Sequence, residues 1–144
     1  MPEKSKPADN LRADAEKIIE SAIAAVLPDA AVERALKGKT FSGRVYLVAA
    51  GKAAWQMAHA ARACLQDNFC GGVVVTKYGH VKGNIAGVAC FEGGHPVPDE
   101  NSLRGTDAAL ALTEDLTESD TVVFLLSGGG SALFEKPLIP LAEL

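Results

Sequence analysis

The stretch Thr121-Val122-Val123-Phe124-Leu125-Leu126-Ser127-Gly128-Gly129-Gly130-Ser131 decides the fold. Its first part is β-branched and apolar without interruption. This unbroken run reads as the clearest strand in the chain. A serine and three glycines then break the run, and Ser131 and Ala132 are expected to open a helix that returns over the sheet.

Working outward, Val45-Tyr46-Leu47-Val48-Ala49-Ala50, bounded by Gly43 and Gly51, is too short for a buried helix and reads as a strand covered on both faces, as in a parallel sheet. Residues 72–76 (GVVVT) and 87–91 (GVACF) read as two further strands. Between the strands the period changes to helical. Ala54, Met57, Ala58, Ala61 and Leu65 share one face of a helix expected over 53–66. Residues 102–112 form another, although Gly105 costs it roughly 1 kcal/mol relative to alanine. Ahead of the first strand, Leu11, Ala15, Ile18, Ile19, Ala22, Ile23, Val26 and Leu27 make one apolar stripe on a 3.6-residue period. Asp9 or Asn10 is expected to cap that helix and Pro28 to stop it. Asp29 is expected to cap a short second helix ending at Gly38, and residues 1–8 read as a leader.

Strands alternating with helices indicate an α/β layer structure with a mostly parallel sheet. Residues 77–86 carry Gly79 and Gly83 and fit either an extended crossover or a hairpin, so strand order stays open. The apolar segment 138–144 follows without a stop signal. The expectation is the N-terminal portion of a longer protein; a C-terminal helix that docks is the alternative.

Composition narrows the function classes. The 144 residues are 48% hydrophobic and 22% charged, which is ordinary for a globular domain and excludes disorder and collagen-like repeats. A net charge of −4 argues against nucleic acid as main partner, since binding a phosphate backbone needs a basic surface. No stretch approaches the length of a membrane span, and the start, MPEKSKPADN, has no apolar signal core. Cys64, Cys70 and Cys90 form no even set, so the expectation is a cytoplasmic protein with reduced thiols and no membrane partner.

Ligands of open α/β sheets bind beyond the carboxyl ends of the strands. Those ends carry Gly51-Lys52, Thr76-Lys77-Tyr78-Gly79-His80, Glu92-Gly93-Gly94-His95 and Ser127-Gly128-Gly129-Gly130-Ser131. Three glycines adopt positive φ freely, and their N–H groups can curl into a nest for a phosphate or carboxylate, with Ser127 and Ser131 adding donors. A helix opening at Ser131 would add its N-terminal dipole. Lys52, directly after a buried strand, can neutralise a transferring phosphate; the bland alternative is a snorkelling surface lysine. In the stiff loop 93–102, His95, Asp99 and Glu100 can touch substrate or metal. For Asp99 and Asn101 helix capping is the favoured reading, and His95 stays open.

Several patterns fail. Gly38-Lys39-Thr40 resembles the end of a P-loop, but Glu33 stands where its first glycine belongs. Ala49-Ala50-Gly51-Lys52-Ala53-Ala54 offers only the middle glycine of a dinucleotide fingerprint, and Lys77 stands where a ribose-binding acid belongs. His59 and Cys64 point to different helix faces, Cys64 and Cys70 lack zinc spacing, and Trp55 and Met57 read as packing residues. No metal ligand is assigned, and Ser127 and Ser131 sit in no nucleophile elbow.

Four ordered strings add up to a family. VAAGKAA at 48–54, VVVTKYGH at 73–80, GGHPVPDENS at 93–102 and LLSGGGSAL at 125–133 resemble the N-terminal region of glycerate 2-kinases, the type whose C-terminal domain is called MOFRL. The resemblance implies a Rossmann-like three-layer half of a two-domain protein, with the site in the cleft between domains. It implies phosphoryl transfer from ATP to the 2-hydroxyl of D-glycerate, with Mg²⁺, and little catalysis from this half alone. Lys52 matches a lysine of the family's site, and Gly128 to Ser131 match its glycine-rich ligand loop. Some relatives carry the label hydroxypyruvate reductase, so an NAD(P)H-dependent reductase and a non-catalytic anion-binding module are the alternatives. The site residues expected to bind substrate or phosphate are thus Gly51, Ser127, Gly128, Gly129, Gly130, Ser131 and His95, with Lys52 catalytic.

Overall fold

The computed structural model describes residues 7–65 and 67–143. In chain order it contains α1 (Pro7–Val26), α2 (Pro28–Leu36), β1 (Val45–Ala50), α3 (Ala54–Cys64), β2 (Phe69–Lys77), β3 (Val88–Gly93), α4 (Glu100–Leu112), β4 (Thr121–Leu126), the single turn α5 (Gly130–Leu133) and a 3-10 turn at Leu141–Glu143. The first six residues of the expected leader lie outside the described residues. α1 begins at Pro7, before the expected caps Asp9 and Asn10, because proline fits a first helical turn whose N–H has no partner anyway. Pro28 acts the same way: it ends α1 and stands in the first turn of α2. Asp29 therefore sits inside that turn rather than at the cap, which is Leu27.

The four strands form one sheet in the order β3-β2-β1-β4, and every neighbouring pair is parallel. The segment between β2 and β3 is therefore a crossover and not a hairpin, although it holds no helix. Its residues 78–87 can span about 33 Å when extended, more than the roughly 20 Å length of β3. It is fastened to α3 by the indole N–H of Trp55 donating to Gly83 O (2.9 Å) and by Arg62 Nε donating to Ala86 O (3.1 Å). Ile85, 3% exposed, anchors its middle in the core.

Side chains of β1 alternate between two cores, as the two-residue period of a strand requires. Leu47 and Ala49 pack with Val32, Ala58, Ala61 and Val74 beneath α2 and α3. Val48 packs on the opposite face with Val73, Val75, Ala109 and Leu133 beneath α4 and α5. The result is three layers, with the sheet in the middle. Gly105, a weak point by helix propensity, lets α4 lie close to the sheet. A Cβ there would lie 2.7 Å from Val75 Cγ2. No helix of the described residues is long and apolar enough to cross a membrane.

Two features of burial stand out. The apolar stripe of α1 forms a helix, but Leu11, Ile18, Ile19, Ile23 and Val26 are all exposed. Among the described residues β4 is the last strand of the sheet. Its Val123 and Leu125 pack into the α3-side core, whereas Phe124 and Leu126 stay half-exposed or more. The reason is reach: α4 packs on β2 and β3, two strands away from β4.

The topology fixes where a ligand can sit. The chain steps from β1 to β2 to β3 in one direction, then α4 carries it back to β4 on the far side of β1. The loops after β1 and β4 therefore leave the sheet side by side but lead to opposite faces. A crevice opens at such a switch point.

Candidate functional site

The turn after β1 is held from both sides. Gly51 has φ +113°, and a Cβ on it would lie 2.4 Å from Ser127 Oγ, so only glycine fits. Its N–H donates to Val75 O (3.1 Å), and the N–H of Lys52 donates to Gly128 O (2.9 Å). The hydroxyl of Thr76, fully buried, donates to Gly51 O (2.9 Å). His80 Nδ1 lies 2.8 Å from Lys52 O. A carbonyl only accepts, so Nδ1 carries the proton of that bond. The backbone of Lys52 is thus tied to β2, to β4 and to the crossover loop, while its side chain is exposed.

The glycine turn after β4 is less symmetrical than its sequence. Only Gly129 takes positive φ, at +86°; Gly128 and Gly130 do not. The expected nest of three bare glycines is therefore a single left-handed residue. Gly130 is buried, and a Cβ there would lie 2.5 Å from Leu126 Cδ1, so packing on Leu126 requires glycine at this position. The following helix begins at Gly130, not at Ser131, and α5 is one turn long, too short for a substantial dipole. Ser127 is also reassigned. Its hydroxyl accepts the N–H of Ala53 (3.0 Å), which makes it a brace between the two loops. Gly51, with its N–H and carbonyl both bonded, has the same structural part. Ser131 is exposed.

Three of the expected residues do meet. A methyl group at Gly129 would lie 2.6 Å from His95 Nε2 and 3.4 Å from Lys52 Cε. One at Gly128 would lie 4.0 Å from the same Lys52 carbon. An ammonium, an imidazole and a turn of bare backbone therefore share one rim at the switch point. Among the described residues, no acceptor takes the N–H of Gly128 or Gly129.

His95 is delivered by the loop from β3 to α4. Gly94 lets that loop fold tightly: a Cβ there would lie 2.4 Å from Val97 O. The His95–Pro96 bond is cis. Asp99 caps α4, accepting the N–H groups of Asn101 and Ser102 (3.0 Å each), while Ser102 Oγ accepts the N–H of Asp99 (2.9 Å). Tyr78 donates its hydroxyl proton to Asp99 Oδ2 (2.7 Å). Partial burial works against ionisation of Asp99. The hydrogen bonds from Tyr78, from the backbone N–H groups of Ser102 and Gly94 and from the Ser102 hydroxyl outweigh it and hold the carboxyl at about 2. The capping reading of Asp99 therefore stands. Asn101 lies in the first turn and donates to Tyr78 Oη (2.7 Å), and Glu100 is exposed in the same turn.

Thr76 and His80 are the structural residues that sequence reasoning passed over. The string VVVTKYGH places both at the sheet edge, but no local pattern says that they bond the Gly51-Lys52 turn. Trp55, His59, Cys64 and Cys70 play no part at the rim. Trp55 packs on the core and stacks on His59, with ring centroids 5.2 Å apart. The three thiols are free. Among the described residues, no three His, Cys, Asp or Glu side chains converge as a metal site.

The family model described as "Domain of unknown function (DUF4147)" matches residues 14–144. A protein named D-glycerate 2-kinase from Thermotoga maritima is 52% identical over 130 residues, covering 90% of this chain and 31% of its own length. A protein named putative hydroxypyruvate reductase from Agrobacterium vitis is 40% identical over 121 residues, covering 84% of this chain and 27% of its own length. A crystal structure of glycerate kinase from Thermotoga maritima superimposes with a TM-score of 0.85 at 50% identity, over 94% of this chain and 33% of that one. The chain thus spans about a third of the length of these relatives, and the resemblance carried by the four motifs stands.

Proposed function

The chain belongs to the DUF4147 family, and on that premise we propose that the intact polypeptide carrying it phosphorylates D-glycerate with ATP. The 2-hydroxyl oxygen attacks the γ-phosphorus, and the bond to the β,γ-bridging oxygen breaks. ADP leaves with that electron pair, the hydroxyl proton passes to His95 Nε2, and 2-phosphoglycerate forms. The observation that carries this reading is the meeting of Lys52, His95 and Gly129 at the switch point. Phosphoryl transfer asks a protein mainly for positioning and neutralisation of charge. Lys52 supplies a cation on a backbone fixed by three neighbouring segments, and the N–H groups of Gly128 and Gly129 supply donors beside it. Ser131 lies next to these donors and is proposed as a further phosphate contact.

Mg²⁺ would accompany the nucleotide and neutralise its phosphates. The described residues offer no donor set for it, so no step is assigned to the metal. The active unit is proposed to be larger than these 144 residues, since the relatives are about three times as long. The chain alone is expected to turn over little or nothing.

The name of the Agrobacterium relative raises a reductase reading. The turn Gly51-Lys52-Ala53-Ala54 lacks the glycines with which a dinucleotide pyrophosphate is approached, and that favours the kinase. The experiment is a coupled assay of ADP release by the intact polypeptide. ADP should appear only when D-glycerate is present. Lys52→Ala should lower kcat/KM by about 10²-fold or more, as loss of a preorganised charge does. Hydroxypyruvate-dependent oxidation of NADH without ADP formation would replace this reading with the reductase.

A further inference from the structure

The side chain of Lys52 borders a second space, distinct from the glycine rim. A groove of about 360 Å³ opens between the first turn of α3 and the crossover loop, lined by Lys52, Trp55, Gln56, Gly79, His80 and Lys82. Its ionisable lining is two ammonium groups and an imidazole. No carboxylate lines it; the amide of Gln56, in its wall, donates to Asp29. His80 Nδ1 donates to Lys52 O, which ties the imidazole to the groove wall. The volume lies within the range of small-molecule sites, roughly 300–1,000 Å³.

We propose that this groove holds the polyphosphate chain of the nucleoside triphosphate, while the acceptor acid lies across Lys52 against Gly129 and His95. The proposal rests on the phosphoryl-transfer reading above. A transferred phosphoryl group passes from donor to acceptor, so the two subsites must share a boundary, and a cation belongs on it. Lys52 meets that condition among the described residues. It lines the groove, and its Cε approaches the methyl position of Gly129 to 3.4 Å. Lys82 then faces the α- and β-phosphates, whose charge stays in the groove as the bridging bond breaks. His95 and Gly129 lie on the acceptor side.

The chain carries its own reporter, because Trp55 is its single tryptophan and stands in the groove wall. Tryptophan fluorescence of the 144-residue chain is titrated with ATP, with inorganic tripolyphosphate and with D-glycerate. ATP and tripolyphosphate should each give a saturable change and compete with one another, and D-glycerate should not displace them. Lys82→Ala, at an exposed position that leaves the fold intact, should weaken both by about 5-fold or more, as removal of one phosphate-facing charge does. A silent Trp55, binding of ATP without tripolyphosphate, displacement by D-glycerate, or a Lys82→Ala chain that binds as tightly as its parent would each overturn the proposal. The coupled assay separates the two failures. ADP formation with a silent Trp55 removes the groove and keeps the reaction; a responsive Trp55 without ADP formation keeps the groove and removes the reaction.

Discussion

Replacing Gly129 by alanine tests the rim through one methyl group. Gly129 has φ +86°, a region where a Cβ crowds the following carbonyl. That strain costs about 1–2 kcal/mol. For a chain of this size it corresponds to a fall in Tm of roughly 2–8 °C. The methyl would also lie 2.6 Å from His95 Nε2 and 2.8 Å from His95 Cδ2. Comfortable contact needs about 3.5–4.0 Å, so the imidazole must retreat by about 1 Å or the turn must flatten. A displacement of that size at a reacting group costs about 10²-fold in rate. Gly128→Ala is the matched control. Its φ is not positive, and its methyl would meet only Lys52 Cε, at 4.0 Å, an ordinary contact. Thermal unfolding of the chain and ADP release by the intact polypeptide read the two effects separately. Gly129→Ala should lose both stability and kcat/KM, and Gly128→Ala should lose far less of each. Equal behaviour of the two alanines would refute the claim that one left-handed residue, and not the glycine string as a whole, shapes the rim.

Two other substitutions probe the supports of the site. Ser127→Ala strips the acceptor from the part-buried N–H of Ala53, so stability should fall by about 1–3 kcal/mol in chemical denaturation; an unchanged midpoint would mean that water replaces the hydroxyl. Asp99→Ala removes the capping box of α4 and should cost about 1 kcal/mol. The pH dependence has a definite sign. The Asp99 carboxyl lies at about 2 in the fold against an ordinary 3.8, so its contribution is complete above the ordinary value and is lost as pH falls through about 2. Asp99→Asn should therefore flatten the acid limb of a plot of Tm against pH, and a limb as steep as the parent's would place the acid sensitivity elsewhere.

Legibility from sequence followed how local the controlling physics is. The strand at 45–50 and the strand at 121–126 were readable to the residue because unbroken β-branched and apolar runs end abruptly at glycine or serine. The start of β2 was not. Phe69-Cys70-Gly71 joins the strand because Val45 pairs with Phe69 across the sheet, a relation no window of sequence contains. Burial was readable only up to the layer. Phe124 and Leu126 have the composition of a doubly covered strand, yet α4 does not reach them. Gly105 shows the opposite case, a residue poor for its helix and right for the close approach to Val75. At the site, the string SGGGS announced an unusual turn but not the division of labour within it. Gly129 shapes the rim, Gly130 packs on Leu126 and Ser127 braces Ala53, and each assignment depends on a partner distant in sequence.

The position of Lys52 follows from strand order more than from its own neighbours in the chain. β1 and β4 are parallel, adjacent and level at their ends, with Ala50 opposite Leu126. The two loops must therefore leave the sheet together. The bonds from Ser127 N–H to Ala50 O and from Lys52 N–H to Gly128 O continue this register beyond the strands. A side period of two makes the register strict: a slip by one residue would turn Val123 and Leu125 out of the core. The hydrophobic alternation of β4 thus fixes the distance between an ammonium and a glycine turn. Polar exchange at Val123 or Leu125 would loosen the register. On this argument such a change would impair the site without touching any residue in it.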